Sequence, residues 1–135
     1  MKRILLAWAF SSMLSLALAS AASATAGLGC SAADKNVAVL EFEGLLPREA
    51  TRFVNLTGSL EIVAGDKIEF SASNVKTFNW GKNIALRLTQ QTPRGLVDIS
   101  IYAKPVDEDN LDFEGSYVVR LGKLRKSGKI KCSGG

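Results

Sequence analysis

Two runs near the middle of the chain, NIALRLTQ at residues 83–90 and LVDISIYA at residues 96–103, decide the fold. Apolar side chains occupy every second position of these runs: Ile84, Leu86, Leu88, Val97, Ile99 and Ile101. Because successive side chains of a strand point to opposite faces, this alternation predicts strands with one buried and one solvated face. The fold is therefore built outward from half-buried strands.

Similar short runs continue on both sides, and no stretch has a 3.6-residue period long enough to require a helix. They lie at residues 36–43, 51–57, 59–70, 75–80, 116–123 and 128–132. Short strands joined by Gly, Pro, Asn and Asp predict an all-β fold. We expect an antiparallel β-sandwich of about seven to eight strands, immunoglobulin-like or a similar Greek key, and a small β-barrel is the alternative.

Three local features sharpen this expectation. The run at residues 36–43 is predicted to place Ala38, Leu40 and Phe42 on one face. Gly65 and Asp66 predict a tight hairpin turn. Residues 126–128 are predicted to form the turn between two C-terminal strands, 116–122 and 128–132.

The first 26 residues have the order of a secretory signal peptide. Lys2 and Arg3 precede an apolar run at residues 4–19, and small residues follow up to Ala26. Cleavage after Ala24 or Ala26 is expected, with an uncleaved membrane anchor as the alternative. The predicted organisation is thus a signal peptide at 1–26 and a single β domain at 27–135, in a secreted or periplasmic protein.

The charge balance argues against a nucleic-acid partner. Loss of Lys2 and Arg3 with the signal peptide leaves 15 basic and 13 acidic residues, a net charge of +2. Nucleic-acid binding depends on neutralising many phosphates, which this small excess does not favour. No second apolar run long enough to span a membrane follows the first.

The two cysteines beyond the signal peptide, Cys30 and Cys132, are predicted to form one disulfide. In the terminal strand GKIKC, Cys132 shares a face with Ile130, which directs its sulfur toward the core. Two alternatives for Cys30 are lipid attachment, for which the leucine at position 28 lies one place too late, and a catalytic thiol. A catalytic thiol needs a base, and the chain contains no histidine.

The lack of histidine also removes the commonest general base and the commonest transition-metal ligand. Two cysteines alone do not make a zinc or copper site. We therefore expect no catalytic residues, no metal and no cofactor, and a protein that is not an enzyme. A small hydrolase using a pair of carboxylates is the least favoured alternative.

Three segments are candidates for contact with a partner. The C-terminal segment contributes Lys123, Arg125, Lys126, Lys129 and Lys131. Such a surface suits an anionic glycan, an acidic protein or a membrane headgroup, and the alternative is that these charges protect a sheet edge from pairing.

An acidic segment contributes Asp107, Glu108, Asp109, Asp112 and Glu114. Closely spaced carboxylates are the ligands that calcium prefers, but the spacing does not match an EF-hand loop, so a solvated acidic loop is the simpler interpretation.

The segment FNWGKN at residues 78–83 places Trp80 beside a turn that carries Lys82. A tryptophan in this position anchors a binding site or closes one end of the core. The leading functional hypothesis is an exported non-enzymatic domain that binds a protein or glycan partner. The alternative is a carbohydrate-recognition domain, which would need Trp80 and Tyr102 exposed together.

Overall fold

The computed structural model describes residues 25–47, 52–62, 67–108 and 111–134. Within them lie nine strands and one short 3₁₀ helix, Ala72–Asn74. The strands are β1 (Thr25–Ala32), β2 (Val37–Pro47), β3 (Asn55–Ile62), β4 (Lys67–Ser71), β5 (Val75–Trp80), β6 (Ile84–Thr92), β7 (Gly95–Pro105), β8 (Asp112–Leu121) and β9 (Leu124–Gly134).

All nine strands join one antiparallel sheet in the order β4-β3-β2-β1-β9-β8-β7-β6-β5. The all-β prediction is confirmed in the form of its barrel alternative, because the sheet curls into one nearly closed barrel-like layer instead of two stacked sheets. Apart from the pair β1–β9, neighbouring strands are consecutive along the chain, so the connectivity is an up-and-down meander and not a Greek key. The strand that was not predicted is β1.

The sheet nearly closes through the segment 67–80. Strands β4 and β5 are its two edges, and the antiparallel order makes them point the same way. The 3₁₀ helix Ala72–Asn74 joins them, so one kinked stretch of chain pairs first with β3 and then with β6. The side-chain amide of Gln90 on β6 donates to the backbone carbonyl of Glu69 on β4 at 3.1 Å. The two edges of the sheet therefore belong to one continuous segment of the chain.

The interior of the barrel is filled by side chains. Most strands alternate buried and exposed positions, most clearly β7, and the buried positions form one continuous cluster. A barrel of about eight strands has an interior just wide enough to be packed with side chains. The largest fully buried side chains are Tyr117, Phe42, Phe113, Leu40, Leu60, Ile84, Leu88, Ile99, Ile130, Val37, Val97 and Val119.

The predicted face of β2 is wrong at its first position. Val37 is buried and Ala38 is exposed, whereas Leu40 and Phe42 are buried as expected. The register between β2 and β3 shifts between Val37 and Val39. Such a bulge adds one residue to a strand and reverses the faces on its far side, which alternation alone does not reveal.

Two turn predictions have different outcomes. The turn between β8 and β9 lies at Gly122-Lys123 and not at residues 126–128, because Arg120 pairs with Arg125 and Leu121 with Leu124. Gly122 has φ of 58°, a left-handed conformation that glycine adopts without strain. The predicted Gly65-Asp66 turn lies outside the described residues, but β3 and β4 on either side of it pair antiparallel.

The predicted disulfide between Cys30 and Cys132 is confirmed. The two residues face each other in the register of β1 with β9, and each side chain is only 4% exposed. The bond links the first strand to the last across 102 residues of chain. Disulfides form and persist in oxidising compartments, so the bond fits an extracellular type of environment.

The predicted signal peptide falls almost entirely outside the described residues, which begin at Thr25. In the part of the chain that is described, no helix is long and apolar enough to cross a membrane.

Candidate binding surface

The cations of the C-terminal segment meet those of a second turn at one end of the barrel. Pairing of β7 with β8 continues to Val97 opposite Leu121, which places the β6–β7 turn beside the β8–β9 turn. We call the surface formed by the two turns the cationic tip. It consists of Arg94, Leu96, Arg120, Lys123, Leu124, Arg125 and Lys126.

Tight turns hold the cationic tip in place. In the β6–β7 turn, the hydroxyl of Thr92 donates to the carbonyl of Gly95 at 2.7 Å and accepts from the amide of Arg94 at 3.2 Å. Gly95 has φ of 119°, a backbone conformation open to glycine. The backbone of each turn is therefore fixed, and the cationic side chains extend from it at the end of the sheet.

Like charges face each other on the outer surface of this tip. Arg120 lies directly opposite Arg125 in the register of β8 with β9. On its other side Arg120 faces Asp98, whose carboxylate is bound by Arg87 at 2.7 Å. The hydrogen bond from Arg87 lowers the pKa of Asp98 and raises the pKa of Arg87. Asp98, which lies opposite Arg120, is thus held mainly by Arg87, and the attraction of Arg120 adds only a smaller lowering of its pKa.

Four cations of the tip lack a close counterion. In the described part of the chain, no carboxylate oxygen lies within 4.0 Å of Arg120, Lys123, Arg125 or Lys126. Arg120, Lys123 and Arg125 are exposed, and Lys126 is half-buried opposite Val119 at the mouth of the barrel. The tip therefore carries four cations without a salt bridge among the described residues, and Arg120 has only a Coulombic attraction to Asp98.

The other two predicted cations lie lower on β9. Lys129 pairs with Ser116, and Lys131 lies between Glu114 of β8 and Ser31 of β1. Strand β9 pairs with β1 only as far as Lys131, so residues 124–130 have β8 as their one strand partner among the described elements. Lys129 and Arg125 thus also lie on a locally open edge, where charge opposes pairing with another chain.

A half-buried polar contact that the sequence did not reveal supports the base of the tip. The hydroxyl of Tyr117 donates to a carboxylate oxygen of Asp34 at 2.7 Å. The other carboxylate oxygen accepts from the amides of Asn36 at 2.7 Å and Val37 at 3.0 Å. The side chain of Asn36 donates to the carbonyl of Ser127 at 2.8 Å. The β1–β2 loop is thereby tied to the β8–β9 hairpin.

These contacts shift the pKa values of both groups. The hydrogen bond from Tyr117 lowers the pKa of Asp34, and burial, followed by the bond to Asp34, raises the pKa of Tyr117. A Cβ atom at position 128 would overlap the Tyr117 hydroxyl and Asp34, so Gly128 leaves the space that the contact occupies. An aspartate two residues before Asn36 is typical of a turn, but nothing local points to its partner 83 residues away.

The predicted contact residue Trp80 lies at the opposite end of the barrel. It is half-buried, its ring packs edge-on against Phe113 with centroids 6.2 Å apart, and a side chain at Gly134 would collide with it. Tyr102 lies on the outer face of the sheet and accepts a hydrogen bond from Asn83 at 2.8 Å. The two aromatic rings are on opposite faces, so the joint exposure that carbohydrate recognition would need is not present. Lys82 is exposed in the turn between them.

The acidic segment does not converge on one point. Asp107 and Glu108 lie in the connection after β7, whereas Asp112 and Glu114 lie on β8, where Glu114 pairs with Lys131. Asp109 is outside the described residues. Across the ranges that the structure describes, no group of three or more acidic or cysteine side chains is arranged to hold a metal ion.

A shallow groove of about 800 Å³ runs over the outer face of β1, which was also not predicted. The outward positions of β1 in the groove are small, including Gly29 and Ser31, and the groove continues past Glu41 and Glu43 of β2 to Lys67 and Glu69 of β4. Lys131 and Asp112 border the opposite side. The groove mixes both charges, since Glu41, Glu43, Glu69 and Asp112 line it together with Lys67 and Lys131.

No protein-family model, no curated protein and no solved structure matches the chain. The function is therefore argued from the surface itself.

Proposed function

We propose that the protein is an exported, non-enzymatic binding domain that takes an anionic macromolecule on its cationic tip. The observation that carries this proposal is the register pair of Arg120 and Arg125. Like charges directly opposite each other in a sheet are destabilising, and no carboxylate among the described residues lies within 4.0 Å of this pair. An anionic partner would remove that repulsion on binding.

The tip is also well placed to attract such a partner. Clustered cations create a positive potential that speeds the encounter with an anionic surface and falls with ionic strength. The exposed carboxylates Asp107 and Glu108 lie at the other end of the barrel and do not screen it. The tip therefore concentrates exposed cations at one end of a molecule whose net charge is small.

Export is supported by the order of the N-terminal segment and by the disulfide, which needs an oxidising compartment. A secreted or periplasmic location is part of the proposal. The non-enzymatic role is supported by the lack of histidine in the sequence. The carbohydrate alternative has less support, because half-buried Trp80 packs against the core and Tyr102 lies on the opposite face.

Retention on heparin and on immobilised polyglutamate, measured across a salt gradient, tests this function. The variant Lys123→Glu, Arg125→Glu, Lys126→Glu is compared with a matched control, Arg52→Glu, Lys76→Glu, Lys104→Glu. Both change the same residue types at exposed or half-buried positions, but the control residues lie away from the tip. We expect the tip variant to lose retention and the control to keep most of it.

Circular dichroism of both variants shows whether the fold is kept. An equal loss in the two variants would mean that overall charge, and not the tip, sets the affinity, and would contradict the proposal. Failure of the wild-type protein to bind either polyanion at low salt would contradict it as well.

A further inference from the structure

The cationic tip carries exposed apolar side chains as well as charge. Leu124 follows the β8–β9 turn and is 39% exposed, and Leu96 follows the β6–β7 turn and is 52% exposed. Leu96 directly precedes Val97, the partner of Leu121, so it lies next to Gly122-Lys123. By register, Leu96 lies on the outer face with Arg120 and Arg125, whereas Leu124 lies on the inner face with Lys126. The two leucines therefore flank the rim at this end of the barrel, where a purely polar partner would leave them unused.

The shape of the tip distinguishes between a small ligand, a protein and a lipid surface as the partner. Strand β9 runs past the last residue of β1 that pairs with it, so the β8–β9 hairpin projects from the rim of the barrel. Two concavities of the described surface lie elsewhere, along β1. Binding sites for small ligands are concave, and a stable protein interface involves about 20 to 30 residues on each side. A small projecting tip fits neither requirement well.

A lipid surface fits a small tip with cations and exposed leucines. Cations near an anionic membrane are attracted to headgroup phosphates, and adjacent apolar side chains enter the boundary between headgroups and acyl chains. We propose, building on the function proposed above, that the cationic tip docks the domain on an anionic lipid bilayer, with Leu96 and Leu124 inserted between the headgroups.

The rest of the molecule is compatible with this orientation. The antiparallel order places the acidic connection after β7 at the far end of the barrel, together with the beginning of β1. Carboxylates such as Asp107 and Glu108 would then point away from the anionic surface. The contact between Asp34 and Tyr117 would hold the hairpin rigid while its tip is inserted.

Co-sedimentation with vesicles tests the inference. One set of vesicles contains phosphatidylcholine alone, and the other also contains phosphatidylglycerol. We expect the wild-type protein to bind the second set and not the first. The variant Leu96→Ser, Leu124→Ser should bind them about tenfold to a hundredfold more weakly, the loss expected when two leucines can no longer be buried, and its retention on heparin should stay unchanged.

A matched control changes two exposed apolar residues at the far end, Leu45→Ser and Val54→Ser, and should bind vesicles like the wild-type protein. Retention on heparin without binding to anionic vesicles would overturn the lipid inference and leave the proposed function standing, with a glycan or acidic protein as the partner. Vesicle binding that the leucine variant does not weaken would also overturn it. Failure with both probes would overturn both proposals.

Discussion

The two ends of the barrel differ in what their side chains do. One end, which we call the aromatic end, holds Phe53, Phe78, Trp80 and Phe113. The rings of Phe53 and Phe78 pack against each other at a tilt of 44°, with centroids 4.5 Å apart. The disulfide lies on the same side, since Cys132 pairs with Phe113. At the cationic tip, charged and apolar side chains project outward and stabilise little.

The difference shows that stability and recognition are separated along the barrel axis. The aromatic end closes the core and links the first strand to the last. The cationic tip is supported from beneath by the contact between Asp34 and Tyr117, and Lys123, Leu124 and Arg125 are exposed at its end. Substitutions should therefore affect the stability of the fold less and less from the aromatic end toward the tip.

The largest loss of stability should follow removal of the disulfide. The double variant Cys30→Ala, Cys132→Ala frees a loop of 102 residues, and we expect the free energy of unfolding to fall by about 3 to 4 kcal/mol. Urea denaturation of the variant and of the reduced wild-type protein measures the change. Under conditions in which the variant is still folded, it should be retained on heparin like the wild-type protein. A loss below about 1 kcal/mol would mean that strand pairing alone holds the termini together.

Truncation of the tryptophan should have the next largest effect. Trp80→Ala removes contacts with Phe113 and Gly134, and we expect it to cost about 3 kcal/mol because a large side chain leaves a partly filled space. Tyr102→Ala, on the outer face, is the control and should cost about 1 kcal/mol, with one hydrogen bond lost. Equal losses at the two positions would contradict the assignment of Trp80 to the core.

Loss of one hydroxyl beneath the tip should have an intermediate effect that depends on pH. Tyr117→Phe removes the hydrogen bond to Asp34, and we expect it to cost about 1 to 2 kcal/mol at pH 7. Because the folded pKa of Asp34 is below its unfolded value, this stabilisation is present above the unfolded pKa and is lost as pH falls through the folded pKa.

The difference between wild type and Tyr117→Phe should therefore shrink below about pH 4, close to the ordinary pKa of aspartate. Urea denaturation at pH 7 and at pH 3 measures it, with Tyr102→Phe as the control for loss of an exposed hydroxyl. A difference that stays constant between the two pH values would show that the ionised form of Asp34 is not the form that the Tyr117 hydroxyl stabilises.

The smallest change in stability is expected at the tip. Arg125→Ser removes the charge opposite Arg120, and we expect stability to stay the same or rise by up to about 0.5 kcal/mol, an increase that high salt should abolish. Retention on heparin should nevertheless decrease, whereas Arg52→Ser should leave it nearly unchanged. A substantial loss of stability in Arg125→Ser would mean that the tip is part of the structural framework.

Local patterns were enough to predict several features of this molecule. Strict alternation identified β6 and β7, and the shared face of Ile130 and Cys132 predicted a buried sulfur. Alternation failed at Val37 and Ala38, because a bulge depends on the neighbouring strand. It also misplaced the β8–β9 turn, since serine and glycine at 127 and 128 resemble a turn, whereas the register that places Gly122 in the turn depends on pairing.

The sequence by itself determined the class of fold, the disulfide and the positive charge of the C-terminal segment, because each depends on side-chain chemistry or on a period of two residues. Only the tertiary structure decided that the strands form one curled sheet, that Arg94 and Leu96 join the C-terminal cations, and that Tyr117 reaches Asp34. These features depend on which distant strands become neighbours. Which strands become neighbours is determined by burial over the whole chain, and no local stretch of sequence specifies it.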